Sequence, residues 1–497
     1  MKQTLACLSL RRATLALGAL IFVGALVATN TAGAQQVAYL LDDIRPGPEG
    51  SNPSVFAPLP NGSGLVFSAN DGVHGSSLWF TDGTIGGAVM LADINPGPDG
   101  ADFWWPTPTP DGSGVVFRSS DAMHGFEPWF TDGTSAGTIM LDDINPGPAS
   151  SSSNLFTKLQ DNSGFIFSAD DGKHGSELWL SNGTVGGARL LLDLNPGIEH
   201  GGAEWITPLP NSDIILFQGV DIDHGLEMWR TNGTTEGTFL LHDINPGPAY
   251  SEAAYYTLLP NNSGVLFQAD DGIHGGELWF TTGKEDEAYI VKDIVPGIDG
   301  SNPIFLTPFP AMNGIIFVAG ETRGLWFSDG TEKGTRLLVD LHPEATDSQN
   351  DFGILPNNPN KFLFAAYDEQ NFPQFRNTEL WVFDGNNGNH SMLADINPGT
   401  GSSNPQMFMP LPDSTGVAFV AHIKGSYRLF FSDGEQIWGG NLVAAPMGGL
   451  NVIMGILPDN TGFVVSADDG IHGRELWGVK SAASFAPESN ISRMVVR

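Results

Sequence analysis

Ser176-Glu177-Leu178-Trp179-Leu180-Ser181-Asn182-Gly183-Thr184 is one copy of a phrase, Glu-Leu-Trp-x-x-Asp-Gly-Thr, that runs through the chain. Its tryptophan stands at Trp79, Trp129, Trp179, Trp229 and Trp279, a fifty-residue period without drift, and the position continues at Trp326, Trp381, Phe430 and Trp477. A fixed period of this length marks a serial array of one supersecondary unit, each too small to bury its apolar face alone. It also constrains function, because a residue needed once for chemistry has no reason to recur in every unit.

Working outward from the phrase, one unit reads as four strands, at residues 55–59, 65–69, 77–81 and 88–94, each ended by turn residues. The turns are Asn61-Gly62-Ser63-Gly64, Asp71-Gly72-Val73-His74-Gly75, Asp82-Gly83-Thr84 and Asn95-Pro96-Gly97-Pro98. Proline followed by glycine suits a type II turn, and Asp-Gly-Thr a tight hairpin whose side chains bond to nearby amides. Leu65-Val66-Phe67 is apolar on both faces, so this strand is expected to be covered on both sides. No sustained helical period appears, and the chain is predicted to be all-β.

Four-stranded sheets covered on both faces and repeated in series are the blades of a β-propeller. Nine tryptophan-position residues give nine units. The chain opens on a lone fourth strand at 37–44 and closes on a three-strand unit at 451–479, and these two pieces complete one blade. The expected fold is therefore a single closed β-propeller of about nine four-stranded blades, its N-terminal strand completing the last. Two smaller rings are the alternative, although no linker divides the chain.

Glu177-Leu178-Trp179 with Asn182-Gly183-Thr184, Glu277-Leu278-Trp279, and Asp143-Ile144-Asn145-Pro146-Gly147 resemble the ELWxxDGT-repeat family of exported bacterial chains. The resemblance spans nearly all of residues 37–479 and implies secretion and a propeller-like array. It brings no activity and no catalytic residues. Pro128 and Met228 replace the leucine of the phrase, and Phe430 replaces the tryptophan.

Residues 1–34 carry Lys2, Arg11 and Arg12, then an apolar run, then Ala32-Gly33-Ala34, the pattern of a cleavable export signal. The division is thus 1–34 signal, 35–480 repeat domain and 481–497 tail, with a periplasmic or extracellular destination. Cys7 is the sole cysteine and falls within the signal, so the mature chain relies on burial rather than disulfides. Taking those three basic residues from 22 Lys+Arg leaves 19 against 56 Asp+Glu, and the formal charge moves from -34 to -37. Such a surface repels nucleic acid and anionic lipid, and no second apolar stretch is long enough to span a bilayer. Divalent cations, basic proteins and neutral glycans fit the charge.

The most enzyme-like pattern is Asp-Gly-x-His-Gly-x-Glu, with aspartates at Asp71, Asp121, Asp171, Asp221, Asp271 and Asp469, and histidines three residues on at His74, His124, His174, His224, His274 and His472. Glutamate follows at Glu127, Glu177, Glu227, Glu277 and Glu475. An acid, an imidazole and a second acid suit proton transfer or metal ligation. Six copies spread around a ring cannot converge on one substrate, and the reading preferred is structural: a turn aspartate, and a histidine bonded to the next blade. Asp71, Asp93 and Asn95, with Asp171 and Asp271, are the oxygen-rich candidates for calcium, and no other cofactor is expected. The tryptophan stripe is read as core, each ring contributing roughly 3 kcal/mol by burial.

Positions that vary between units are better candidates for recognition. At the start of the innermost strand, Val55, Trp105, Leu155, Trp205, Tyr255 and Phe305 keep the period while changing side chain, with Trp104 and Tyr256 beside them. Lining a channel mouth, these aromatics would suit a glycan or an extended peptide. A second cluster of departures lies later: Gly320-Glu321-Thr322-Arg323-Gly324, then Tyr367, Asp368, Glu369 and Arg376, then His422, Lys424, Tyr427 and Arg428. The function expected is a noncatalytic binding module for a protein or glycan, its ligand on the face carrying these late loops. The alternatives are a glycan hydrolase or lyase over the channel, built on a carboxylate pair such as Asp368 or Glu369 with Glu321, and a cation-stabilised structural surface protein.

Overall fold

The computed structural model describes residues 36–197, 200–321, 323–340, 342–343, 352–367, 377–399, 401–444, 454–457, 459–481 and 493–495. The expected export signal, Thr322, the 368–376 loop with Asp368, Glu369 and Arg376, and most of the tail lie outside them.

Strands account for all the regular structure among the described residues apart from one 3-10 turn at Pro310–Met312. No helix among these residues is long and apolar enough to cross a membrane. The first sheet runs Ser54–Pro58, Leu65–Asn70, Ser76–Thr81 and Val89–Ala92, antiparallel throughout, with Phe67 opposite Trp79 and Trp79 opposite Met90. Five further sheets repeat that order through Arg336–Val339. In the seventh, His342–Pro343 and Phe352–Ile354 both pair with Lys361–Tyr367. Gln36–Asp42 pairs antiparallel with Arg474–Ser481, Leu40 opposite Trp477, so the N-terminal strand supplies the fourth strand of the last unit.

Two details were not expected. Ile437–Ala444 pairs through Val443 and Ala444 with Gly462–Asp468, which joins the eighth and ninth units into one nine-stranded sheet. Within the tail, Arg493–Val495 adds a strand on the outer side of Gln36–Asp42.

Strand alternation places successive side chains on opposite faces, and both faces are used. Leu65, Phe67 and Ala69 pack with Tyr39, Leu457 and Val464, whereas Val66 packs with Val115 and Phe117 of the second sheet. The same division recurs along the chain: Val116 faces Phe165 and Phe167, Ile166 faces Ile215 and Phe217, and Leu216 faces Val265 and Phe267. Nine such clusters form, each shared by two units, and Val464 with Phe67 links the last unit to the first. The repeated tryptophans are wedged in them, with Trp179, Trp229, Trp279, Trp381 and Trp477 all buried, as the stripe required.

Candidate functional site

The acid, imidazole and acid of the repeated pattern are fully engaged by the scaffold. Asp71 Oδ1 accepts the amides of Val73 and His74 at 2.8 and 2.9 Å, and Asp71 Oδ2 stands 2.7 Å from His74 Nδ1. The arrangement repeats at His124, His174, His224, His274 and His472. Each histidine is therefore bonded to its own turn aspartate and not to the next sheet, which corrects the sequence expectation. A short turn puts the imidazole three residues from a carboxylate already aimed inward by two amides. Burial works against ionisation of Asp71, but those amides and the His74 ring outweigh it and hold the carboxyl below its ordinary value. The same hydrogen bond raises His74.

The glutamate performs the bridging instead. Glu177 Oε2 accepts the Leu194 amide at 2.8 Å and its Oε1 the Gly201 amide at 2.7 Å, fastening the loop that leads into the fourth sheet. Glu475 does the same for the chain's beginning, accepting from Ile44 at 3.0 Å and from the Ser51 amide at 2.7 Å. Burial pushes Glu127, Glu177 and Glu227 up to about 7, against the pull of these amides. A carboxyl poised near neutrality is what proton transfer needs, yet Glu127, Glu177, Glu227, Glu277 and Glu475, with Glu379 of the seventh unit, which accepts from Ile396 and Ser403 in the same way, are wholly inaccessible, and both oxygens of Glu177 are occupied. Arg428 takes the glutamate position of the eighth unit, half-buried, and its Nη1 donates to Gly440 O at 3.0 Å.

The calcium candidates are not gathered into a site. Asp71, Asp171 and Asp271 each spend their oxygens on turn amides and a histidine, and Asn95 Nδ2 closes its own loop on Gly100 O at 2.6 Å. Asp93 has one enclosed oxygen without a hydrogen bond. Among the described residues no group of three or more His, Cys, Asp and Glu is placed to hold a metal.

The variable inner-strand register has an unexpected backbone. Val55, Trp105, Leu155, Trp205, Tyr255, Phe305 and Met407 all have φ between 53 and 59°. Each sits where the pairing with the second strand slips, as between Glu204 and Thr207, which is a β-bulge at the same point of these seven units. A threonine two residues on braces the bulge: Thr207 Oγ1 donates to Trp205 O and Thr257 Oγ1 to Tyr255 O, both at 2.9 Å. Thr257 also reaches Leu306 O of the next sheet at 3.2 Å. Nothing in the residue types announces this conformation, since bulky and β-branched side chains disfavour it; the recurrent threonine was the available signal.

The bulge turns the side chain toward the following sheet. Val55 is buried there, and Trp105, Tyr255 and Phe305 are half-buried. Trp205 leans on Tyr255 with ring centroids 4.7 Å apart and planes tilted by 52°. At 37% exposure it is the most open of the twelve tryptophans.

Their immediate neighbours do not share the position. Tyr256 is buried against Phe267, with its phenol pushed well above the ordinary value, first by burial and then by Glu227. Trp104 lies half-buried against the cluster between the first and second sheets. The pleat sends adjacent residues to opposite faces, so neither belongs to an aromatic rim. In the late loops, Tyr367 is buried, while Tyr427 packs on the core between the eighth and ninth units and meets His422 edge-on at 5.4 Å. Lys424 occupies a left-handed turn position. The structure thus draws Tyr367 and Tyr427 into the scaffold.

No family model matches the sequence, and no curated protein does. Among solved structures the chain is similar to a putative TolB from Agrobacterium tumefaciens, at 12% identity over 61% of this chain and 83% of that one, with TM-score 0.30. It is similar to Saccharomyces cerevisiae Sqt1, at 11% identity over 79% and 96%, with TM-score 0.40. A third likeness is to Porphyromonas gingivalis dipeptidyl peptidase 4, at 8% identity over 78% of this chain and 59% of that one, with TM-score 0.48.

Proposed function

We propose that the chain is an exported, noncatalytic β-propeller of nine blades that binds a glycan where Trp205 and Tyr255 meet. Nine shared cores, the last joining Val464 to Phe67, support one closed ring, and the pairing of Gln36–Asp42 with Arg474–Ser481 supports its closure by the N-terminal strand. Export and membership of the ELWxxDGT-repeat family belong to the same proposal and rest on the sequence.

The observation that carries the binding reading is the exposed Trp205 ring, held against Tyr255 by a braced, strained bulge. A rigid, solvent-facing aromatic ring backed by a second ring suits a sugar, whose C–H face stacks on it. The late turns at Gly320 and His422 share this face: Gly320 N donates to Ser301 O and His422 N to Ser403 O, as Asn70 N does to Ser51 O. An enzyme would need a singular carboxylate pair, and the repeated acids are spent on the fold.

A glycan and peptide array probed with the full chain, followed by tryptophan fluorescence titration of any hit, tests this reading. Trp205→Ala should abolish glycan binding and Trp205→Phe retain part of it. Binding unchanged in Trp205→Ala, or peptide hits alone, would overturn it.

A further inference from the structure

The turns between second and third strands and the loops that lead from one unit to the next interlock along one face. Gly75 lies so close to Gly100 that a Cβ would strike its backbone, and a Cβ on Gly72 would meet Arg45 on the other side. On this belt the turn tips present Val73, Met123, Ile273 and Ile471, exposed by 68, 70, 69 and 71%. Ile298 adds a fifth at 64% from the adjoining loop.

The fold does not require these side chains. The tip residue contributes only its amide, which Val73 donates to Asp71 Oδ1 at 2.8 Å, and Lys173 makes the same bond to Asp171 at 2.9 Å. In the fourth unit Asp223 takes the amide's role, and the aliphatic group reappears one residue earlier as Ile222, 77% exposed. Aliphatic side chains held in water where a lysine serves equally well mark an interaction surface. Beside them stand the carboxylates of Asp170, Asp270 and Asp468 at the mouths of the same turns, where Oδ1 accepts the Gly172, Gly272 and Gly470 amides, each at 2.7 Å.

We infer that this belt docks a cationic, apolar-rich polypeptide surface. Aliphatic tips alternating with carboxylates are complementary to lysine or arginine interleaved with apolar residues, and a net charge of -34 favours that partner while opposing anionic lipid.

The test titrates the full chain with a labelled amphipathic Leu/Lys peptide, with a Leu/Glu peptide and phosphatidylcholine vesicles as parallel probes. The first variant combines Val73→Ser, Met123→Ser, Ile273→Ser and Ile471→Ser. The second combines Asp170→Asn, Asp270→Asn and Asp468→Asn, which keep the turn because Asn70 already accepts the Gly72 amide at 2.7 Å in the first unit. The Leu/Lys peptide should bind, about tenfold more weakly to the serine variant and with reduced salt dependence to the asparagine variant. Trp205→Ala should leave this binding intact, which separates it from the glycan site. Equal binding to the serine variant, no binding of the Leu/Lys peptide, equal binding of the Leu/Glu peptide, or capture by vesicles instead of the peptide would each overturn the inference. Unchanged melting curves confirm that the variants fold.

Discussion

Glu277 lies in the fifth sheet and Ser301 in the loop that leads into the sixth, and the Ser301 amide donates to Glu277 Oε1 at 2.9 Å and its hydroxyl to Oε2 at 2.6 Å. The same carboxylate accepts from Ile294 and Val295, each at 3.0 Å, so one side chain satisfies the whole turn between two units. Glu277→Ala should strand these buried donors and cost about 2–4 kcal/mol. Glu277→Gln, keeping one acceptor oxygen, should lose less. Urea unfolding of both variants checks the order, and equal losses would show that the acceptor count is not what matters.

The pH dependence follows from these same groups. Burial raises the bridging glutamates from an ordinary 4.5, to about 7 for Glu127, Glu177 and Glu227, so between those values the folded state binds more protons than the unfolded one. Stability is then expected to rise as pH falls from 7 toward 4.5. His74, His124, His224 and His274 are raised from 6.5 by their aspartates and act in the same sense, their contribution being lost as pH rises through the elevated value. The turn aspartates, held below 3.8, lose their contribution only at stronger acidity. The melting temperature should therefore be higher near pH ~5.5 than near pH ~8.5, and Glu177→Gln should narrow the gap. A melting temperature that climbs steadily with pH would contradict this assignment.

The period of Trp79 to Trp279 made the strand order legible, because core positions repeat and their alternation survives in sequence. That both faces of the strand are covered was legible too, from Leu65-Val66-Phe67. The bulge at Trp205 was not, since its left-handed backbone comes from packing between sheets and runs against the preference of the residues that adopt it. Tyr255 and Tyr256 are adjacent in sequence, yet the pleat sends Tyr255 toward the sixth sheet and Tyr256 into the core shared with the fourth. His174 and Glu177 are close enough in sequence to look interchangeable as bridges; only the turn geometry shows that the histidine bonds inward and the glutamate outward.

Backbone strain on this face offers a separate test. Glu252 has φ 48°, where the corresponding residues are Asn52, Ser152, Gly202, Asn302 and Asn404 at 51, 51, 55, 48 and 41°. Asparagine tolerates this region better than glutamate and adds no chain entropy to the unfolded state. Glu252→Asn should stabilise by about 0.5–1 kcal/mol, read as an upward shift in melting temperature. If glycan affinity falls at the same time, the strain at Glu252 is retained for its carboxylate.

Trp279 and Trp205 should separate stability from binding. Trp279 is 7% exposed between the fourth and fifth sheets, and Trp279→Ala should cost about 3–5 kcal/mol through lost burial and the cavity left behind. Trp205 keeps over a third of its surface in water and stands outside the packed clusters, so Trp205→Ala should cost about 1 kcal/mol or less, offset in part by relief of a bulky side chain at φ 53°. Denaturation midpoints measured beside glycan titrations decide the matter: a large stability loss from Trp205→Ala would make the exposed ring another part of the scaffold, and the binding reading would lose its main support.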